Sequence, residues 1–249
     1  MNGVLISQIA PNGGIISGSS SVVQLDAWNW EDAVIRYDQG IHLNWPSPYS
    51  RTGYSYYRGP STIKKSDKYD LNVEEIKNFF DSSKAYLNEP NPNPVSLPYK
   101  AMAPVFTGNA TIFLHADDAK QIKDGVRFLQ DQKIKNIVVV GGTNSLDAGD
   151  FLADNNIKIA LEQPHNLPSM EDEDVKSRFR LASQLINKGV TVAVDATGEM
   201  TRMNTRNLPF FAGSFAAYGV EKEKAVESIT LNAAKVLGIE DNYGSIEVG

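Results

Sequence analysis

The sequence predicts an α/β fold built on a mainly parallel sheet. Three observations carry that prediction. Short continuously apolar runs recur at 110–115, 136–140, 157–161 and 190–195, as expected for strands buried on both faces. Amphipathic helical segments separate them, over about 117–131, 145–155 and 172–188. The first run leads into a helix, the second does so through Gly141-Gly142, and the last two run into loops before the next helix, so strand and helix alternate in the order of a sheet covered on its outer face.

The elements before residue 110 are less regular. Gly3 to Ile9 reads as a buried strand, Pro11-Asn-Gly-Gly14 as a turn, and Ser20 to Asp26 as a second strand. Trp28-Asn-Trp-Glu-Asp-Ala33 reads as a compact aromatic loop leading into a short amphipathic piece, with both tryptophans packed on the core or its rim. Residues 40–70 hold His42, Trp45, Tyr49, Tyr54, Tyr56 and Tyr57 among prolines and glycines and keep neither helical nor strand period, so they read as an insertion. Asp70 is placed to cap a helix over 71–87, which Glu89-Pro-Asn-Pro-Asn-Pro94 breaks. Three helical patterns close the chain near Leu237. The expected organisation is one partial domain over 1–249 with six strands, where a closed eight-stranded barrel needs two more.

Composition excludes several classes. The net charge is −6, which disfavours nucleic acid and anionic membranes as partners. No apolar stretch reaches the length of a membrane span, and residues 1–15 lack the charged and apolar regions of a signal peptide. There is no cysteine, so disulfides and thiolate metal sites are out. The 41% hydrophobic content supports a core of domain size. An incomplete barrel exposes strand edges, so a homo-oligomer, or completion by a segment outside this chain, is expected.

Three segments resemble one family. Ala225-Val-Glu-Ser-Ile-Thr-Leu-Asn-Ala-Ala-Lys-Val-Leu-Gly238, followed by Gly244-Ser-Ile-Glu-Val-Gly249, resembles the C-terminal signature of the amidohydrolase superfamily. Phe113-Leu-His-Ala-Asp117 is similar to its fifth barrel strand, and Gly13-Gly-Ile-Ile-Ser-Gly-Ser-Ser-Ser-Val-Val-Gln-Leu25 to the glycine-rich segment of imidazolonepropionase-like members. The resemblance implies an incomplete TIM-barrel-like metal-dependent hydrolase fold. It implies hydrolysis of carbon–nitrogen bonds in small non-peptide or cyclic amides, or in dipeptides. The water would be activated by one or two divalent metals, zinc first among them.

The resemblance also assigns residues. His115 falls where the fifth strand supplies a metal ligand, and Asp195, ending the last strand, where the eighth supplies a ligand and general base; a shift of two would put Thr197 there instead. Gln163-Pro-His-Asn-Leu-Pro168 resembles the loop after strand seven, making His165 a candidate substrate contact or a loop-packing residue. The family expects a histidine near Gly141, and none is present; nor is there a His-x-His motif. Gly142 and Thr143 offer backbone N–H groups for a substrate anion, or only a tight turn. Asp117 and Asp118 read as helix caps and His42 as structural or interfacial. With three histidines in all, a two-metal centre from this chain alone is not expected, and the alternative is a degenerate, non-catalytic binding domain.

Overall fold

The computed structural model describes residues 3–52, 62–167, 173–197 and 201–248. Seven strands form one sheet in the order β1 (Ile6–Ile9), β2 (Ile16–Gln24), β3 (Val34–Asn44), β6 (Thr111–Asp118), β7 (Ile137–Asn144), β8 (Lys158–Glu162), β9 (Val192–Asp195). β4 (Tyr49–Thr52) and β5 (Thr62–Lys65) pair as a separate antiparallel ribbon. The first three strands of the large sheet are antiparallel neighbours, and β3, β6, β7, β8 and β9 run parallel. The α/β prediction holds.

In the large sheet the strand that sequence reasoning missed is β3, and the small ribbon of β4 and β5 was missed with it. The amphipathic piece after Ala33 is the first half of β3, and residues 40–44, assigned above to the insertion, are its last residues. Ile41 and Leu43 are buried in the main core, so the strand sits at the centre of the fold rather than outside it. The sheet therefore has seven strands, not six. Residues 53–61 of the aromatic segment lie outside the described residues.

The two faces of the parallel strands divide by parity. One face presents Leu43, Ile112, Leu114, Val139, Ile159 and Val192 to the helices, in one core with Ile122, Leu129 and Leu185. Each fully buried Leu or Ile there contributes roughly 1.5–3 kcal/mol. The opposite face stacks Phe113, Val138, Val140 and Ala193 against Val236. Above this layer, at the C-terminal ends of the strands, the same parity brings His115, Glu162 and Asp195 to one side.

Helix starts depart from expectation in two places. The helix Tyr69–Asn88 begins ahead of Asp70, whose carboxylate lies in the first turn while Lys68 holds the N-cap position. Asp118 alone caps the helix Ala119–Asp131, in a capping box with Gln121. Its Oδ1 accepts from the backbone of Lys120 and Gln121, each at 2.9 Å, and this frees Asp117 to face elsewhere. Trp28 and Trp30 are exposed, at 99% and 67%, not packed on the core.

The C-terminal signature has a structural task. Asn232, in the helix Leu231–Leu237, donates through Nδ2 to the Val192 carbonyl at 3.1 Å, and Val194 N–H donates to the Ser228 carbonyl at 3.0 Å. These bonds occupy ladder groups on the outer edge of β9. Lys158 Nζ adds a bond to the Lys235 carbonyl at 2.9 Å, holding the same helix under β8.

Candidate active site

A cavity of about 1200 Å³ opens at the C-terminal ends of β6, β7, β8 and β9. Its walls include His115, Asp117, Gly141, Thr143, Glu162, His165, Arg178, Asp195 and Thr197. This is the end of a parallel sheet where α/β enzymes gather their chemistry.

Asp195 is the last residue of β9, and its carboxylate is held from one side. Thr197 N–H donates to Oδ1 at 2.9 Å and the Thr197 hydroxyl to Oδ2 at 2.7 Å. The two residues that compete in the sequence for the strand-eight position are thus one unit, with the carboxylate at the strand end and the threonine bracing it. The surrounding protein pushes the Asp195 pKa above the ordinary carboxylate range, and the charge of Asp117 adds to the rise.

Asp117 sits at a break in register between β6 and β7: Ala116 pairs with Gly141, then Asp118 with Asn144. Such irregularities re-aim side chains near active sites. Thr143 donates to the carboxylate through both its backbone N–H and its hydroxyl. Burial raises the Asp117 pKa and these hydrogen bonds oppose the rise. A Cβ at residue 141 would lie 2.7 Å from Asp117 Oδ1. Gly141 also has φ +98° and Gly142 φ +64°, conformations that favour glycine. Gly141 and Thr143 line the cavity, and Gly142 instead packs over Ile159 of β8.

Glu162 ends β8 and anchors the floor. It accepts from Arg178 Nη1 at 3.1 Å and from Asn166 Nδ2 at 2.9 Å. Arg178 also faces Glu173, with Nε 3.8 Å from Oε1. Burial pushes the Glu162 pKa up, and Arg178 pulls against it.

His115 is tied to a partner that sequence reasoning placed elsewhere. His42 Nδ1 lies 2.8 Å from His115 Nε2. His42 is 3% exposed and stacks on Phe113 with ring centroids 4.8 Å apart. Parallel pairing of β3 with β6 places His42 opposite Phe113 and Asn44 opposite His115, so the contact follows from register. Burial holds the His42 pKa down to about 4, with His115 adding to the depression; burial alone lowers that of His115. His42 Nε2 is buried without a hydrogen-bond partner. The signal that could have found this pair is the run Gly40-Ile-His-Leu-Asn44, apolar on alternate positions and as long as one half-strand.

The metal that the resemblance implies needs three or so ligands converging on one point. His115 turns Nε2 to His42, Asp195 is braced by Thr197, and Glu162 is engaged by Arg178 and Asn166. Among the described residues no group of three metal-ligating side chains converges. These residues by themselves do not fit a metal centre.

His165 lies on the rim, in the loop after β8. Gln163 Oε1 accepts from its backbone N–H at 2.7 Å, and Gln163 Nε2 donates to Asn166 at 2.8 Å. Its ring packs edge-on to Phe211, centroids 5.0 Å apart.

The family model described as the amidohydrolase family matches residues 117–249. The fold is similar to that of an amidohydrolase from Thermotoga maritima, with a TM-score of 0.78 at 18% identity over 99% of this chain and 64% of that one. A prolidase solved with N-methylphosphonate-L-proline is similar over 66% of this chain and 43% of its own, with 16% identity and a TM-score of 0.41. No curated protein matches. The chain thus spans 64% of the length of the Thermotoga protein, whose fold it shares as an incomplete TIM-barrel-like sheet. With the family model covering its C-terminal half and the site built at the matching strand ends, the chain belongs to the amidohydrolase family.

Proposed function

We propose that this chain carries part of the active site of a hydrolase that cleaves carbon–nitrogen bonds in small amides, cyclic amides or dipeptides. The observation that carries the reading is Asp195: a braced carboxylate of raised pKa at the end of the last parallel strand, facing a cavity of small-molecule size. A general base works best when its pKa approaches the working pH, which burial favours here. Asp195 takes a proton from water as the water adds to the amide carbonyl, and returns it to the leaving nitrogen. Thr197 holds the carboxylate in line, and Glu162 with Arg178 fixes the floor beside it. His165 contacts the substrate at the rim, and the Gly142–Thr143 turn shapes the pocket beside it. The imidazolonepropionase-like segment at 13–25 supports cyclic amides within this class.

A divalent metal, zinc first, belongs to this reading for the whole protein, with His115 and Asp195 as this chain's contribution. The further ligands would come from strands beyond the described residues. A second copy or a further segment is the proposed source of those strands. The test is a hydrolysis screen of N-acyl amino acids, cyclic amides and dipeptides, with and without added zinc or manganese, run on the wild type and Asp195→Asn. Turnover that falls by ~10²–10⁴-fold in the variant supports the assignment. Turnover equal in both removes Asp195 from the chemistry, and no turnover on any substrate rules out catalysis by this chain on its own.

A further inference from the structure

The rim histidine meets a serine whose other contact constrains the proton between them. His165 Nε2 is 2.6 Å from the Ser214 hydroxyl, and that hydroxyl is 3.0 Å from the carbonyl of Phe210, one helical turn back in the helix Leu208–Ala217. A serine hydroxyl has one proton to give. If it gave the proton to the ring, the Phe210 carbonyl would face a bare oxygen at hydrogen-bond distance, and one of the two contacts would be lost. If it gives the proton to the carbonyl, it accepts from Nε2–H and both contacts are hydrogen bonds. The second arrangement satisfies more groups.

His165 is exposed, and two aromatic rings border its imidazole. Phe211 packs edge-on to it, and Phe179 sits 5.9 Å away, itself stacked on Tyr218 at 5.0 Å. The loop beneath is pinned by Gln163, which is 5% exposed.

We propose that Ser214 is a positioning residue: it holds His165 in the Nε2–H tautomer and so leaves Nδ1 as a hydrogen-bond acceptor for the N–H of an amide-type substrate. The proposal rests on the reading of this cavity as the substrate site. It also excludes the opposite role for the pair, in which the serine hydroxyl would donate to the ring as a nucleophile does.

The chain has only three histidines, so long-range ¹⁵N–¹³C correlation spectra of the labelled protein resolve each ring, and His165→Gln identifies the one in question. Three samples decide the matter: wild type, Ser214→Ala and Ser214→Thr. Expected are a dominant Nε2–H tautomer for His165 in the wild type, about a fivefold loss of that preference in Ser214→Ala, equivalent to one neutral hydrogen bond, and retention in Ser214→Thr. A dominant Nδ1–H tautomer in the wild type overturns the proposal, as does a Ser214→Ala spectrum identical to the wild type. Because this readout needs no turnover, it separates the two readings. The expected tautomers in a protein that hydrolyses none of the amides leave the positioning role standing and remove catalysis by this chain on its own.

Discussion

Gly40→Ala tests whether the buried histidine pair is set by the packing of β3 on β6. Gly40 pairs with Thr111, two residues before His42 pairs with Phe113. A Cβ at residue 40 would lie 2.7 Å from Phe113 Cδ2, closer still to Cε2, and 2.8 Å from the Thr111 carbonyl oxygen. Ordinary contacts there are about 3.5–4.0 Å, so roughly 1 Å of displacement is needed. Phe113 is 1% exposed and packed on Val138, Val140 and Ala193, and the carbonyl belongs to the neighbouring strand. Neither neighbour has room to move. Overpacking of this kind costs about 1–3 kcal/mol, and simultaneous pressure on a ring and on backbone places the cost near 3. At about 2–4 °C per kcal/mol for a chain of this size, Tm falls by about 6–12 °C. Differential scanning calorimetry with urea denaturation measures it. The same variant should shift the ring resonances of His42 and His115, because Phe113 is the surface on which His42 stacks. A Tm within about 1 °C of wild type, with those resonances unmoved, would falsify the chain of reasoning from register to histidine pair.

The remaining predictions use different parts of the molecule. Gly213→Ala is the matched control: a Cβ there meets nothing within 4 Å, the site is helical, and stability should rise by about 0.5–1 kcal/mol on urea denaturation. Arg178→Met removes the cation that pairs with Glu162 and Glu173, which keep bonds from Asn166 and Ser177, and should cost on the order of 1–2 kcal/mol; an unchanged denaturation midpoint would show the pairing to be incidental. Asp117, Glu162 and Asp195 all have raised pKa values, so the folded state holds their protons to higher pH than the unfolded chain does. That contribution is present below the unfolded carboxylate pKa and is lost as pH rises through the folded values. Asp195→Asn should therefore flatten the decline of Tm toward neutral pH while lowering turnover by ~10²–10⁴-fold, and a steeper decline would reverse the expected sign. Elemental analysis after zinc loading should find less than one tightly held ion per chain, since no three ligands converge among the described residues; a stoichiometric ion would show that they rearrange to make a site.

The parallel half of the fold was legible because its strands are buried on both faces, which writes a continuous apolar run into the sequence. β3 was not legible for the same physical reason in reverse. Its first half, Val34-Ile-Arg-Tyr-Asp-Gln39, alternates irregularly because it pairs with β2 through shifts in register, and Asp38 adopts φ 42°. Its second half runs straight into the aromatic segment, whose composition masked it. Of the site, the strand-end residues His115 and Asp195 and the loop residue His165 could be placed, because parity and position fix where they project. His42, Ser214, Glu162 and Arg178 could not, because their meaning comes from partners far along the chain: 73 positions separate His42 from His115, and 49 separate His165 from Ser214.

Asp117 shows why the departure from the family pattern at Gly141 is not simply a loss. A histidine there would project from the end of β7 toward the cavity, but the space beside residue 141 holds the Asp117 carboxylate, which enters from β6 at the break in register. The two features require each other. Only glycine adopts φ +98° at low cost with an oxygen 2.7 Å from where Cβ would be. Restoring a side chain at residue 141 alone would therefore collide with Asp117. The glycine at 141 and the carboxylate of Asp117 are therefore coupled at this strand end.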